Sequence, residues 1–584
     1  MNLLCHLFTW HNKLNYTQQV KLQKTTKEEL KMKKRLIAAL IIAVMIASVF
    51  AGCGAKNTGD GGSKNDGENK GGNVRDTITA IFGSEPGTID PAINQTLDAG
   101  TYISHLFEGL TDLSQGGIKP GVAESWDISD DGTKYTFHLR EDAKWSDGKP
   151  VTAYDFEYAW KRVLNPETAS PYSYILYLIK GAQEYNEGNG KVEDVAIKAV
   201  DEKTFEVELI AKAPYFLELA GFMVTVPVRQ DIIEKHGDAW TQSPETYISN
   251  GAFKLKEWKH QDELVVVKNE NYWNKDEIKL NEIRFKLMDD DDAALSATEA
   301  GEIDINYAHM PPNTIPGLVA EGKAEILPDF TTYFYDFNTQ RAPFDDARVR
   351  KAFALAIDRQ YIIDKVAMAN QKPAIGWVPY GMPEPEGDKD FRAVAEEKYG
   401  SPYLPETANV EEAKKLLAEA GYPNGEGFPE VELIYNTSEG HKMIAEAIQN
   451  QLKENLGVNI KISNMEWNVF VEERNKHNFD IARDGWGADY ADPMSFMDMW
   501  LSNSGNNTAA WKNAEYDELI NKAINSDDAN ERFELMHKAE QILMDEMPIL
   551  PVYYYTKTVM YPDNLEGWYF SPVGIFYLHR AEFK

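Results

Sequence analysis

Apolar and polar positions alternate in short runs rich in β-branched and aromatic residues: Thr77 to Phe82, Tyr135 to Leu139, Thr204 to Leu209, Leu264 to Val267, Ile283 to Leu287, Tyr333 to Phe337 and Val431 to Tyr435. A period of two puts every second side chain on one face, so each run predicts a strand. Helical periodicity takes over in Val349 to Ile357, Val410 to Ala420 and His441 to Leu456. The last two stop at Gly421 and Gly457, the residue type that closes helices in the left-handed conformation. Val431 to Tyr435, the following helix and Val458 to Ile462 together predict a βαβ unit with a right-handed crossover. Asp131-Gly132 predicts a hairpin turn between Trp126 to Ile128 and Tyr135 to Leu139. The fold class is α/β, without internal repeats.

The first uninterrupted apolar run is of another kind. Lys31, Lys33, Lys34 and Arg35 precede 15 uncharged residues, Leu36 to Phe50, which end in Ala51-Gly52-Cys53. A basic flank, a short apolar stretch and small residues form a secretory signal, and the stretch is shorter than the ~18 residues a spanning helix wants. The cysteine after the small residues resembles the bacterial lipobox, in which it is lipidated and becomes the first mature residue; Phe50 stands where leucine is usual. An uncleaved membrane anchor is the other reading. Met32 is a more ordinary beginning for such a signal than Met1, so residues 1–31 are expected to be absent from the mature protein, as is the whole of 1–52. Residues 54–75 contain Gly, Asn, Ser, Lys and Asp with nothing to anchor them in a core. As a flexible coil they span about 25 to 28 Å, a tether between membrane and domain.

Composition sharpens this. The 584 residues are too many for one core, so two or three domains are expected. Residues 1–52 hold eight basic and two acidic side chains, so the remainder carries −39 against −33 for the whole chain. So negative a body, with no basic stripe, is not a nucleic-acid binder. Its two cysteines are Cys5 and Cys53. With the first removed and the second lipidated no disulfide can form, and stability must come from large cores.

The motifs of common chemistries are missing: there is no HExxH, no GxGxxG opening a helix, no GxxxxGK[ST], no CxxC and no GxSxG. Asp289 to Asp292 has Ala294 where a calcium loop needs glycine, and reads as a solvated acidic loop. Asp127 to Gly132 has its glycine, but the twelfth position is His138 inside a strand pattern. The 11 histidines are scattered, so neither metal nor cofactor is implied. Polar and aromatic residues cluster instead at Trp467, Arg474, Arg483, Trp486, Asp489 and Tyr490. Gly485 and Gly487 around Trp486 suit an extended segment approached closely by another chain. A core loop with a buried tryptophan fits that composition equally well.

Six blocks in order, VAESWDISDDGTKYTFHLREDAKWSDGKPVTAYDF (122–156), SNGAFKLKEW (249–258), FNTQRAPFDDARVRKAFALAIDR (337–359), YNTSEGHK (435–442), GWGADYADPMSF (485–496) and PVYYY (551–555), resemble the extracytoplasmic oligopeptide-binding proteins of ABC importers. The resemblance runs over nearly all of residues 76–584. It implies a periplasmic-binding-protein type II clamshell of two lobes with an extra inserted domain: domain I from 76–97, 230–330 and 557–584, domain II from 98–229 and domain III from 331–556. It implies an oligopeptide held extended by main-chain bonds, an ABC permease as partner, a monomer on the outer face of the cell membrane, and no enzymatic step.

Carried over by position, Asp489 matches the aspartate that pairs with the peptide's α-ammonium. Gly485, Trp486 and Gly487 match the segment that bonds the peptide backbone, with Glu85 as its opposite partner. Arg483, Arg474 and His441 match positions that meet the C-terminal carboxylate, and Trp467 and Tyr172 side-chain pockets. A lysine of some relatives is Ala367 here, and a cysteine pair is replaced by Thr331 and Gly487. The rival readings are the same fold binding cell-wall or signalling peptides or a nickel complex, and a secreted peptide hydrolase.

Overall fold

Each predicted strand lies in one of two sheets. The computed structural model describes residues 75–385 and 389–584, so the signal segment, Cys53 and the tether up to residue 74 lie outside the described residues. The described residues form one compact unit. Its main strands are β1 (Thr77–Gly83), β2 (Ala123–Ile128), β3 (Lys134–Leu139), β4 (Ile197–Ala199), β5 (Thr204–Glu208), β6 (Phe253–Lys259), β7 (Glu263–Lys268), β8 (Glu282–Leu287), β9 (Ile305–Tyr307), β10 (Glu325–Phe337), β11 (Glu432–Asn436), β12 (Lys461–Met465), β13 (Ile481–Gly487) and β14 (Ile549–Met560). The large sheet runs β12-β11-β13-β10-β14-β9-β1-β8-β7-β6, with the short strand Lys372–Pro373 added on β14. The small one, β2-β3-β5-β4, lies wholly within 98–229.

β10 and β14 are the long strands, and each passes through a place where the sequence reading ends one domain and begins the next. β10 crosses residue 330 and β14 crosses residue 556. They pair antiparallel, with their register broken between Pro328 and Thr332. Two continuous strands thus carry one sheet across both of these places.

The helices that position the site are α1 (Leu97–Leu106), α2 (Ala153–Leu164), α3 (Asp291–Glu299), α4 (Ala347–Leu355), α5 (Val410–Glu419), α6 (Glu439–Leu456), α7 (Trp467–Asn475) and α8 (Ala529–Glu546). Several of their starts are capped by polar side chains, which satisfy amide groups left open in the first turn. Asp346 caps α4, Asn409 α5, Ser438 α6 and Glu466 α7. Gly421 and Gly457 have φ of 100° and 72°, as their places predict.

Two expectations are corrected. The second strand of the βαβ unit is not Val458 to Ile462 but Lys461–Met465, which pairs parallel with Glu432–Asn436. Val458 and Ile460 are buried in the turn that leaves Gly457, where an apolar residue packs back against the helix end. Nor is Asp289 to Asp292 a free loop. Asp290 caps α3, accepting the Ala293 N–H at 2.8 Å, and Asp291 and Asp292 occupy its first turn, where the helix dipole favours negative charge.

Candidate functional site

The site grows from an interruption in the sheet. β13 pairs with β10 along its whole length, from Ile481 opposite Phe337 to Gly487 opposite Thr331. Its other neighbour, β11, meets it only at Ile481 and Ala482. Among the described residues, no ladder covers that second edge from Arg483 to Gly487. The uncovered edge lines a cavity of about 310 Å³, within the size range of small-ligand pockets. The cavity's other walls come from β1, α1, α3 and α7, through Gly83, Ser84, Asp98, Asp291 and Trp467 among others.

Strand alternation then distributes chemistry to both faces. Arg483, Gly485 and Gly487 share one face with Tyr333 and Tyr335 of β10; Asp484 and Trp486 share the other with Phe334 and Asp336. A Cβ on Gly485 would meet the Arg483 guanidinium at 3.4 Å and the Tyr555 ring at 3.5 Å, ordinary contact distances, so space alone does not demand glycine there. Trp486 lines the cavity and belongs to the buried core as well: its Nε1 donates to the Ser495 carbonyl at 2.7 Å, and its ring stacks toward Tyr172 at 6.4 Å.

Beyond the strand lies Asp489, 7 % exposed. Its Oδ1 accepts the Tyr172 hydroxyl at 3.0 Å, while Oδ2 has no partner. Burial first, then the nearby Asp498 charge, push the Asp489 carboxyl well above the usual carboxylate range. Asp498, itself pushed up to about 8 by burial, accepts the Tyr490 hydroxyl at 3.0 Å.

At the other end of the edge Arg483 is half-buried, and no carboxylate among the described residues is ion-paired with it. Its guanidinium donates to Tyr555 and to Asn436 Oδ1 at 3.4 Å, and lies 4.9 Å from the Tyr333 ring centre. His441 Nδ1 is 3.2 Å from the Tyr333 hydroxyl. Burial, with the Arg483 and Lys557 charges, holds its imidazole well below the ordinary range, so it is neutral. Arg474 on α7 is tied to Asp484 by an ion pair. Trp467 opens the same helix and packs on Phe470.

Nine of the ten residues singled out from the sequence therefore line this one cavity: Tyr172, His441, Trp467, Arg474, Arg483, Gly485, Trp486, Gly487 and Asp489. The tenth, Glu85, turns its side chain away, to His260 Nδ1 at 2.6 Å and the Gln261 N–H at 2.8 Å, beside a second, more open groove. Gly83 and Ser84 line the cavity in its stead. Sequence reasoning missed Asp98, Asp289, Asp291, His309, Asp484 and Lys557, all on the walls. Asp289 and Asp291 stood in the acidic run read as a loop, and Asp484 and Lys557 lie within two residues of a quoted block.

Four buried polar atoms of this lining lack partners: Trp467 Nε1, Arg474 Nε, Arg483 Nε and Asp489 Oδ2. Leaving such an atom unpaired costs about 1 to 3 kcal/mol.

Comparison with known proteins places the chain. The profile of the bacterial extracellular solute-binding proteins, family 5, matches residues 117–508. The oligopeptide-binding protein OppA of Bacillus subtilis is 37 % identical over 560 residues, 95 % of this chain and 100 % of that one. Among solved structures, Haemophilus influenzae OppA in complex with the peptide RPPGFSPFR superposes with a TM-score of 0.80 at 33 % identity, covering 87 % of this chain and 99 % of that one. The murein tripeptide-binding protein MppA of Escherichia coli gives 0.80 at 34 % identity, covering 87 % and 98 %. Its unliganded open form gives 0.58, covering 87 % and 97 %. The fold is that of the type II periplasmic binding proteins, and the chain belongs to family 5 of the bacterial extracellular solute-binding proteins.

Proposed function

We propose that this protein is an extracytoplasmic receptor that captures oligopeptides in an extended conformation and delivers them to an ABC permease, without making or breaking a bond. The observation that carries this is the uncovered edge from Arg483 to Gly487, enclosed in a cavity with a guanidinium whose Nε lacks a partner at one end and a half-paired carboxylate at the other. Strand addition to such an edge gives affinity through main-chain bonds whatever the sequence. The charged ends suit a zwitterion a few extended residues long, at about 3.3 Å per residue. The peptide named in the Haemophilus complex supports the same ligand class.

Asp489 receives the α-ammonium and Arg483 the carboxylate; Gly485 and Gly487 admit the peptide backbone, and Tyr172, Trp467 and Trp486 wall its side chains. Gly83 and Ser84, and not Glu85, face the peptide from the opposite wall. His441, neutral and hydrogen-bonded to Tyr333, orients the Arg483 end. Domain I, the inserted domain II and domain III close over the peptide by bending β10 and β14 where their register breaks. Only a ligand with higher affinity for the closed form shifts that equilibrium. The better match to MppA than to its open form supports a closed arrangement here.

Calorimetry of residues 54–584 with alanine tri-, tetra- and pentapeptides is expected to show one-to-one binding by a monomer. If no free peptide binds at millimolar concentration, the reading is wrong.

The receptor is held on the outer face of the membrane by a lipid on Cys53. The wild-type protein is expected to incorporate labelled palmitate and sediment with membranes, and Cys53→Ser to do neither. Palmitate incorporation by Cys53→Ser would sink the anchor assignment.

A further inference from the structure

On the face of β13 opposite Arg483, the sheet register sets Asp484 and Asp336 as diagonal neighbours: Asp484 lies opposite Phe334, and Asp336 opposite Ala482. α7 brings Arg474 onto Asp484, and Thr508 donates to Asp336 Oδ2 at 2.7 Å. Asp484 is ion-paired with the guanidinium, whose charge Asp336 feels without bonding it. Asp336 is fully buried, and beside Thr508 its one polar neighbour by hydrogen bond is the Asp484 carboxyl. Asp484 also accepts the Gly485 N–H at 2.7 Å, so it stands directly at the bare strand edge. Arg474, Asp484 and Thr508 line the cavity, as does Trp467 on the same helix as Arg474.

We infer that Asp484 makes this pocket selective for a peptide residue with a lysine or arginine side chain, and hostile to glutamate or aspartate there. The inference rests on the cavity being the peptide site proposed above.

The argument is one of charge balance in a buried place. Burial and the Asp484 charge hold the Asp336 carboxyl well above its ordinary range, so without ligand Asp336 is protonated and the Arg474–Asp484 pair is neutral. A cationic side chain lets Asp336 ionise: two cations then face two carboxylates, and the proton leaves to solvent. An acidic side chain finds Arg474 already held by Asp484 and adds an uncompensated buried negative charge, a like-charge contact that is strongly unfavourable. An extended peptide alternates its side chains, so the residue over Asp484 and its neighbours over Arg483 meet opposite preferences.

The test is calorimetry with an alanine pentapeptide carrying lysine or glutamate at each position in turn. We expect one position at which lysine binds at least about tenfold tighter than glutamate, with Asp484→Asn reducing that ratio at least fivefold at that position alone. The amide carbonyl introduced by this substitution still accepts the Gly485 N–H, while the charge is gone. In buffers of different ionisation heat, the lysine peptide should release more protons than the alanine parent. If alanine pentapeptide binds but lysine and glutamate agree within threefold at every position, the inference falls and the peptide reading stands. A lysine preference that Asp484→Asn leaves intact likewise overturns it, assigning the preference to the Asp98, Asp289 and Asp291 wall. If no peptide binds, the underlying reading falls and this inference with it. The wild-type scan decides the question even where the variant fails to fold.

Discussion

Replacing Asp489 by alanine is expected to weaken binding of a peptide with a free amino terminus about 10- to 100-fold. A hydrogen bond to a charged group is worth about 1.5 to 3 kcal/mol, and about 1.4 kcal/mol is a factor of ten. Acetylating the peptide should cost the wild type a similar factor and cost the variant little, because both changes remove the same contact. The pH dependence separates this contact from a merely structural role. In the free protein, burial and Asp498 keep the Asp489 carboxyl protonated above the usual range, whereas an ammonium requires the carboxylate. Binding therefore expels a proton, and affinity rises with pH until the peptide's own amino group, near pH 8, begins to lose its charge. Asp489→Asn should lose that rise on the acid side of the amino group's own titration. Calorimetry with paired free and acetylated peptides measures all of this, and equal affinity of the two for the wild type would remove Asp489 from the site.

Glu540→Ala is expected to cost about 3 to 5 kcal/mol of stability, read as a lowered midpoint in urea. Glu540 on α8 and Arg392 are both fully buried and ion-paired, and Glu540 also accepts the N–H groups of Trp377 and Val378 at 2.9 Å each. Removing it leaves the guanidinium uncompensated, with two amides orphaned. Glu540→Gln should cost less, since its carbonyl still takes the amides. The double substitution Arg392→Leu with Glu540→Leu should cost less than Glu540→Ala alone, because no charge remains buried. The damage reaches the cleft: the Trp377 carbonyl accepts the Thr332 hydroxyl at 2.9 Å, and Thr332 lies opposite Trp486 in the sheet. An unchanged urea midpoint for Glu540→Ala would show that the pair carries no such weight.

The site was more legible than the side-chain partners within it. Asp489, Arg483 and the Gly485-Trp486-Gly487 run stand in or beside a block specific enough to be recognised, and all five line the cavity. What no linear reading contained was that Asp484 neutralises Arg474, because that pair depends on which face of β13 each residue takes and on where α7 lies. Glu85 shows the same limit from the other side: its side chain goes to His260, a partner 175 residues away. Asp98 carries no motif at all and enters the wall only because α1 packs beside Gly83.

Local physics was readable from the chain by itself. A period of two or of 3.6, a capping side chain and a glycine at a helix end act within a few residues, so strands, helices and the α/β class follow without tertiary knowledge. The basic flank, the apolar run and the small residues before Cys53 are local in the same way, which is why the sequence alone leads to the expectation of a secretory signal there. The tertiary structure alone decided which strand edge stays bare, which charges meet, and which carboxyl groups are buried enough to hold a proton. Those depend on sheet register and on desolvation, which are set by chain segments hundreds of residues apart and leave no pattern along the sequence.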